Sequence, residues 1–311
     1  MVVDVPTVVA TEGSARGRRV AAIGEEARRM IGRTPAGIQV IRPVRGGVIS
    51  DFEATEHLLR HLLAEAGGRA VRGPRVLVCV PTGTTEVERR AVQESTRAAG
   101  AREVQLVPSA LAAAIGAELP VSLPVGSLMV DIGGGRTDVA VTSLGGIVAR
   151  RSVQVAGDEL DAAIVSWARR NHGVLLGEAT AERLKIHIGG VGRVQRKQMR
   201  VRGRDLGGGA PKELELTTDD ISHALQDVVA QIRSAITTAL KETPPELSAD
   251  ILDRGMMLAG GSSALRGLGQ LLREDTDLPV LRPEEPAHCV VRGAARMLED
   301  LELFELVAAT N

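Results

Sequence analysis

The chain has 311 residues, enough for one large α/β domain or two ordinary ones, each with a real core. Its formal charge of -1, from 38 basic and 39 acidic residues, gives no global attraction to nucleic acid, and two Phe, one Trp and no Tyr leave almost no ring for a base to stack on. Two distant Cys argue against a disulfide framework, no apolar run reaches the roughly 20 residues that cross a bilayer, and "MVVDVPTVVATEG" lacks the parts of a signal peptide, so a cytoplasmic protein with no nucleic-acid partner is expected.

In chain order, short apolar runs alternate with helical patterns, the mark of an α/β fold. "PRVLVCVP" (74–81) reads as a strand buried on both faces. "TGTTEVERRAVQESTRAAG" follows as a helix, with Thr85 and Glu88 at capping-box spacing and Gly100 as its stop. "EVQLVP" predicts another strand, "ALAAAIGAEL" a short helix, and "SLMVDIGGGRTDVAVTSLGGIVARRSVQVAG" a meander of three strands. "DELDAAIVSWARRNHG" and "TAERLKIHIG" read as helices, and the Gly- and Arg-rich segment ending in "KELELT" as a small, mostly extended insertion over about 186–217. Ile221, Leu225, Val228, Ile232, Ile236 and Leu240 recur at three- and four-residue steps and predict the longest helix, stopped by Pro244 and Pro245. The chain closes with the strand "GMMLAGG", a helix from about Ala264, the strand "LPVLRP" and a last helix through "VVRGAARMLEDLE".

Three segments carry candidate chemistry. In "MVDIGGGRTDVAV" the amides of Gly133, Gly134, Gly135 and Arg136 can converge on phosphate oxygens, because no Cβ stands over three successive glycines. Asp131, at the strand end, is placed to hold a magnesium ion through its waters, and Arg136 and Thr137 add donors. A glycine-rich hairpin without a ligand fits the same residues. In "LAGGSSALRG" the strand runs through Gly260 and Gly261 into a helix expected to begin near Ser262 and Ser263, whose first amides would face a ligand; an ordinary capped helix start is the alternative. Glu182 and Lys185 lie one helical turn apart, which also fits a solvated ion pair, and Asp158 after Gly157 also fits an N-cap.

The runs "VPTGTTEVERRAV", "VDIGGGRTDVAV", "SLGGIV", "VAGDELDAAI", "VRGRDL" and "GMMLAGGSSALRGL" resemble, in that order and over almost the whole chain, the MreB/Mbl family of bacterial actin homologues. The resemblance implies the actin-like α/β fold, shared with chaperone ATPases and sugar kinases, with two related lobes around a nucleotide cleft. It places the first lobe at 1–120 and the second at 121–311. It implies ATP and Mg2+ as cofactors, with Glu182 and Lys185 reaching ribose and base, Gly157 and Asp158 after the interdomain crossing, and Gly260 to Ser263 as the adenosine motif. It further implies filaments of this chain or with an MreB homologue, the cell-wall synthesis machinery as partner, and a peripheral position at the inner face of the membrane.

Four departures from the family pattern set further expectations. The first phosphate hairpin, close to Asp-Leu-Gly-Thr-Ala-Asn-Thr, has no counterpart: in the opening run Pro6 occupies its glycine position, fixes φ and lacks an amide, so the first lobe is expected to lack that hairpin. Pro108-Ser109-Ala110 stands where the family has Glu-Glu-Pro, so a degenerate ATPase with little or no hydrolysis is expected. Ser262 replaces a usual third glycine. The membrane loop carries only Ala70 and Val71 between Arg69, Arg72 and Arg75, a marginal anchor. The competing readings are a nucleotide-independent adaptor of MreB filaments and an active ATPase whose start codon is assigned too late; a sugar kinase or chaperone is disfavoured by "VRGRDL", "SLGGIV" and "VAGDELD".

Overall fold

The computed structural model describes residues 1–13, 18–67 and 73–310, which fall into two compact units, Met1–Pro108 and Ser109–Asn311. The loop residues Arg69, Ala70, Val71 and Arg72 lie outside the described residues; Arg75, beside them, pairs with Glu103 at 2.9 Å.

The first unit contains β1 (Val9–Glu12), β2 (Arg19–Ile23), α1 (Glu25–Arg29), β3 (Ile38–Ile41), β4 (Val44–Arg45), β5 (Val48–Ile49), α2 (Phe52–Glu65), β6 (Arg75–Val80), α3 (Glu86–Ala98) and β7 (Glu103–Pro108). Strand β1 is central to an antiparallel sheet of order β2-β1-β3. Side chains alternate along it: Val8 and Ala10 pack with Ala22 and Ala27, while Val9 turns the other way onto Ala54 and Leu58 of α2. Strands β6 and β7 pair in parallel through the expected "RVLVCV" and "EVQLVP". Strand β6 is less enclosed than its sequence predicts, since among its residues only Val80 is fully buried. Thr85 and Glu88 form the expected capping box on α3.

The second unit contains α4 (Ser109–Gly116), β8 (Ser127–Ile132), β9 (Thr137–Ser143), β10 (Gly146–Val153), α5 (Gly157–His172), β11 (Val174–Leu175), α6 (Glu178–His187), β12 (Gln198–Asp205), β13 (Pro211–Thr217), α7 (Thr218–Lys241), α8 (Pro245–Arg254), β14 (Met256–Ala259), α9 (Leu268–Thr276), β15 (Val280–Leu281), α10 (Cys289–Glu299) and α11 (Leu301–Thr310). Its main sheet has the order β10-β9-β8-β14-β15: the meander is antiparallel, and β14 joins β8 in parallel. The Arg-rich insertion is the hairpin β12–β13, with Arg200–Glu215 and Arg202–Glu213 pairs on its exposed face. Along α7 the expected stripe is buried from Ile221 to Ile236. Each such side chain contributes roughly 1.5–3 kcal/mol on leaving water.

The period of 2 along β8 and β9 sorts the sheet's two faces. Leu128, Val130, Ile132, Val139 and Val141 enter the large core with α5, α6 and α7. Met129, Asp131, Asp138 and Ala140 belong to the opposite face, and α4 packs on β8 and β9. Helix α4 touches α10 backbone to backbone: a Cβ on Gly293 would overlap the carbonyl oxygen of Ala112, and one on Gly116 that of Cys289. Over Gly134, by contrast, a Cβ would meet nothing within 4 Å.

Gly293→Ala should therefore lower stability by about 2 kcal/mol or more despite alanine's better helix propensity, because the helices must part. Gly134→Ala should leave the melting temperature almost unchanged. Thermal unfolding of the two variants checks this, and equal melting temperatures would contradict the packing.

Candidate functional site

Strands β8 and β14 are parallel neighbours, with Asp131 opposite Ala259, so the turns that follow them emerge side by side. One is Gly133 to Arg136, the other Gly260 to Ser263. Their closeness needs Gly260, which has φ 83° and stands where any Cβ would overlap the carbonyl of Ile132. The adenosine-type turn departs from the expected helix start: residues Gly261–Ala264 form one 3-10 turn and α9 begins only at Leu268, after Gly267 with φ 80°. Ser263 does not cap a helix; its hydroxyl donates to Gly260 O at 2.6 Å.

The turn after β8 is tied down from one side. The Ser262 hydroxyl donates to Gly133 O at 2.7 Å, the Gly157 amide to the same oxygen at 3.3 Å, and the Asp158 amide to Gly134 O at 2.7 Å. Ser262 Oγ occupies the space beside Gly157, where a Cβ would stand 2.7 Å away. Thus Gly133, Gly134, Gly157, Asp158 and Ser262, far apart in sequence, form one cluster. The hydroxyl of Ser262 is used inside it, and the first amides of α5 serve the turn.

This arrangement orients the remaining donors. In a trans peptide the C=O of one residue and the N–H of the next point in opposite directions, and the described residues contain no cis bond. With Gly133 O and Gly134 O held against α5 and Ser262, the amides of Gly134 and Gly135 face away from them. Among the described residues neither has an acceptor, and Gly134 is exposed. The Gly133 amide is already engaged, donating to Arg136 O at 2.9 Å. The Thr137 hydroxyl is fully buried and donates to Val155 O at 2.6 Å, so it serves the fold. Arg136 donates to Ser152 Oγ at 2.9 Å.

Two carboxylates lie under the turn, Asp131 and its cross-strand partner Asp138. Burial, and then the neighbouring charge of Asp138, push the Asp131 carboxyl up to about 7. Among the described residues Asp131 has no hydrogen-bond or ion-pair partner, whereas Asp138, 4% exposed, accepts from Ser109 Oγ at 3.0 Å and from Ser152 Oγ. Paired carboxylates of which one has no hydrogen-bond partner fit a divalent cation, and glycine amides without acceptors fit the anion it would accompany. The residues present thus suit a metal–phosphate group.

Lys185 and Glu182 lie on α6 as expected, but Lys185 reaches α5, donating to Gly157 O and to Asp161, both at 2.9 Å. Asp161 escaped the sequence reading. Its carboxyl is raised to about 6, chiefly by burial, with Lys185 opposing and Glu182 and Asp158 adding to the rise. The sequence signal was its place one turn after Gly157, facing the same way on α5.

Comparison with known proteins agrees with the fold and the family resemblance. A family model described as MreB/Mbl protein matches residues 1–306. The cell shape-determining protein MreB of Escherichia coli (strain K12) is 48% identical over 308 residues, covering 97% of this chain and 89% of that protein. The cell shape-determining protein Mbl of Bacillus subtilis (strain 168) is 42% identical over 304 residues, covering 97% and 91%. A crystal structure of MreB 5 of Spiroplasma citri bound to AMPPNP superposes with a TM-score of 0.91 at 32% identity, covering 97% of this chain and 90% of the other. A MamK double helical filament, at 21% identity and a TM-score of 0.80 over 95% of this chain and 92% of that one, shares the fold. The fold is actin-like, and the chain belongs to the MreB/Mbl family of bacterial actin homologues.

Proposed function

We propose that the chain is a nucleotide-binding subunit of an actin-like filament that acts in cell shape, taking ATP with Mg2+ and hydrolysing it weakly. The observation that carries the reading is the pair of outward amides at Gly134 and Gly135 beside Asp131. Support comes from relatives named as cell shape-determining proteins and from Spiroplasma citri structures bound to AMPPNP and to ADP. On this reading the two amides take phosphate oxygens and Asp131 holds the cation through water. The cation supplies charge neutralisation between phosphate groups. Gly261, where a Cβ would meet nothing within 4 Å, leaves backbone open for the nucleoside, with Glu182 toward the ribose. Ser109 in place of a carboxylate keeps hydrolysis slow. The filament comprises copies of this chain or of an MreB homologue, lies in the cytoplasm at the inner face of the membrane, and guides the wall-synthesis machinery. In keeping with a peripheral position, no helix among the described residues is long and apolar enough to cross a membrane.

A nucleotide-independent adaptor is favoured by one observation, the closure of the space beside Gly157 by Ser262. Pelleting separates the two readings. The purified chain should sediment as polymer with Mg-ATP and stay in the supernatant with EDTA, whereas polymer that ignores nucleotide supports the adaptor.

Asp131 gives a pH dependence with a definite sign. At pH 6, below about 7, its carboxyl holds a proton that a cation must displace; at pH 8 it is already charged. Affinity for Mg-ATP should therefore rise about tenfold from pH 6 to pH 8, and Asp131→Asn should flatten the profile. Calorimetric titration at both pH values measures it, and an equal affinity in the wild-type chain would contradict the assignment of Asp131.

A further inference from the structure

Helix α2 carries a side-chain pattern that the nucleotide site does not use. Asp51 caps the helix by accepting from the Ala54 amide, and Ala54, Thr55 and Leu58 form its buried face. Glu53, His57, His61 and Glu65 follow one another at steps of four, so at 3.6 residues per turn they run as one slanting stripe beside that face. The two histidines are half-buried and the two glutamates exposed. Among the described residues neither imidazole has a hydrogen-bond or ion-pair partner. Arg60, the cation of the same helix, pairs instead with Glu56 and reaches Ala98 O, so it does not crowd the rings.

Residues four apart on a helix have Cβ atoms about 5–6 Å apart, the spacing at which one helix supplies two imidazoles to a single zinc ion. A metal-bound imidazole gains when its other ring N–H donates to a carboxylate, which fixes the tautomer and makes the ligand more basic. Each ring here has such a carboxylate one turn outward, Glu53 for His57 and Glu65 for His61. The last turn of α2 has no basic side chain and ends in Glu65, so a cation held there also meets the negative end of the helix dipole. We propose that this stripe binds one divalent cation of the zinc class, with His57 and His61 as its ligands and Glu53 and Glu65 as the residues that orient them. Among the described residues no three His, Cys, Asp or Glu side chains already stand together as a metal group, so water fills the remaining positions. Imidazole suits zinc and its neighbours, whereas Mg2+ prefers oxygen and keeps its waters, so the site is separate in chemistry from the cation proposed at Asp131 and independent of the nucleotide reading. By cross-linking one turn, the metal stiffens the helix whose Ala54 and Leu58 pack with Val9 of β1.

The test is a calorimetric titration of the full, metal-stripped chain with ZnCl2 in excess Mg2+, joined to NMR of the histidine rings. The wild-type chain should take up one zinc ion with a Kd below about 100 µM, and the rings of His57 and His61 should shift while those of His172, His187, His223 and His288 stay in place. His57→Ala and His61→Ala should each weaken binding about tenfold or more, and Glu53→Gln combined with Glu65→Gln about tenfold, although neither glutamate is a ligand. Zinc should raise the melting temperature of the wild-type chain and leave that of the double alanine variant unchanged. A wild-type Kd above about 100 µM overturns the proposal, as do binding undiminished in the double alanine variant and displacement of zinc by Mg2+. Equal affinity in the double glutamine variant overturns the orienting role of Glu53 and Glu65. Should an alanine variant not fold, the ring shifts of the wild-type chain decide alone.

Discussion

Everything at the site depends on two backbone carbonyls being held in place. Gly133 O and Gly134 O are gripped by the Ser262 hydroxyl and by the first two amides of α5, and the planarity of the peptide then sends the Gly134 and Gly135 amides the other way. Carbonyls left unbound would let the turn rotate, and ordering it around an anion would cost backbone entropy at each glycine. Three donors from two distant segments remove that freedom in advance. The run of glycines thus serves access, since none of the three has a positive φ and the space over Gly134 is open.

The same grip explains how the outlying motifs join the site. Lys185 bonds Gly157 O, so α6 is fastened to the amide-bearing start of α5, which is fastened to the turn. Arg266 extends the fastening: its guanidinium donates to Gly189 O, Ile188 O and Gln195 O, binding the segment after α6 to the turn that carries Ser262. On the other face of the sheet, α4 and α10 approach backbone to backbone at Gly116 and Gly293, and Ser109 at the start of α4 donates to Asp138.

Local patterns in the sequence carried much of this. The capping box at Thr85 and Glu88, the stripe along α7 and the three-stranded meander follow from spacing alone, because propensity, capping and burial agree there. Both glycine motifs were visible as motifs, and the order of the runs pointed to the family. Hidden were the pairings across long separations. Nothing local says that Ser262 reaches Gly133, that Lys185 chooses Asp161 over Glu182's side of its own helix, or that Asp138 backs Ser109. The helix expected at Ala264 begins at Leu268 because Gly267 takes a left-handed φ that interrupts the turn, a tertiary choice that helical periodicity does not encode.

The central claim is that the Gly134 and Gly135 amides receive an anionic oxygen. Backbone amide NMR on the isotopically labelled chain, titrated with Mg-AMPPNP, tests it most directly. The account predicts downfield shifts and slowed hydrogen exchange at Gly134 and Gly135, with the Gly133 amide little changed because it is already bonded to Arg136. Saturating nucleotide that leaves both amides unshifted while resonances elsewhere move would contradict it.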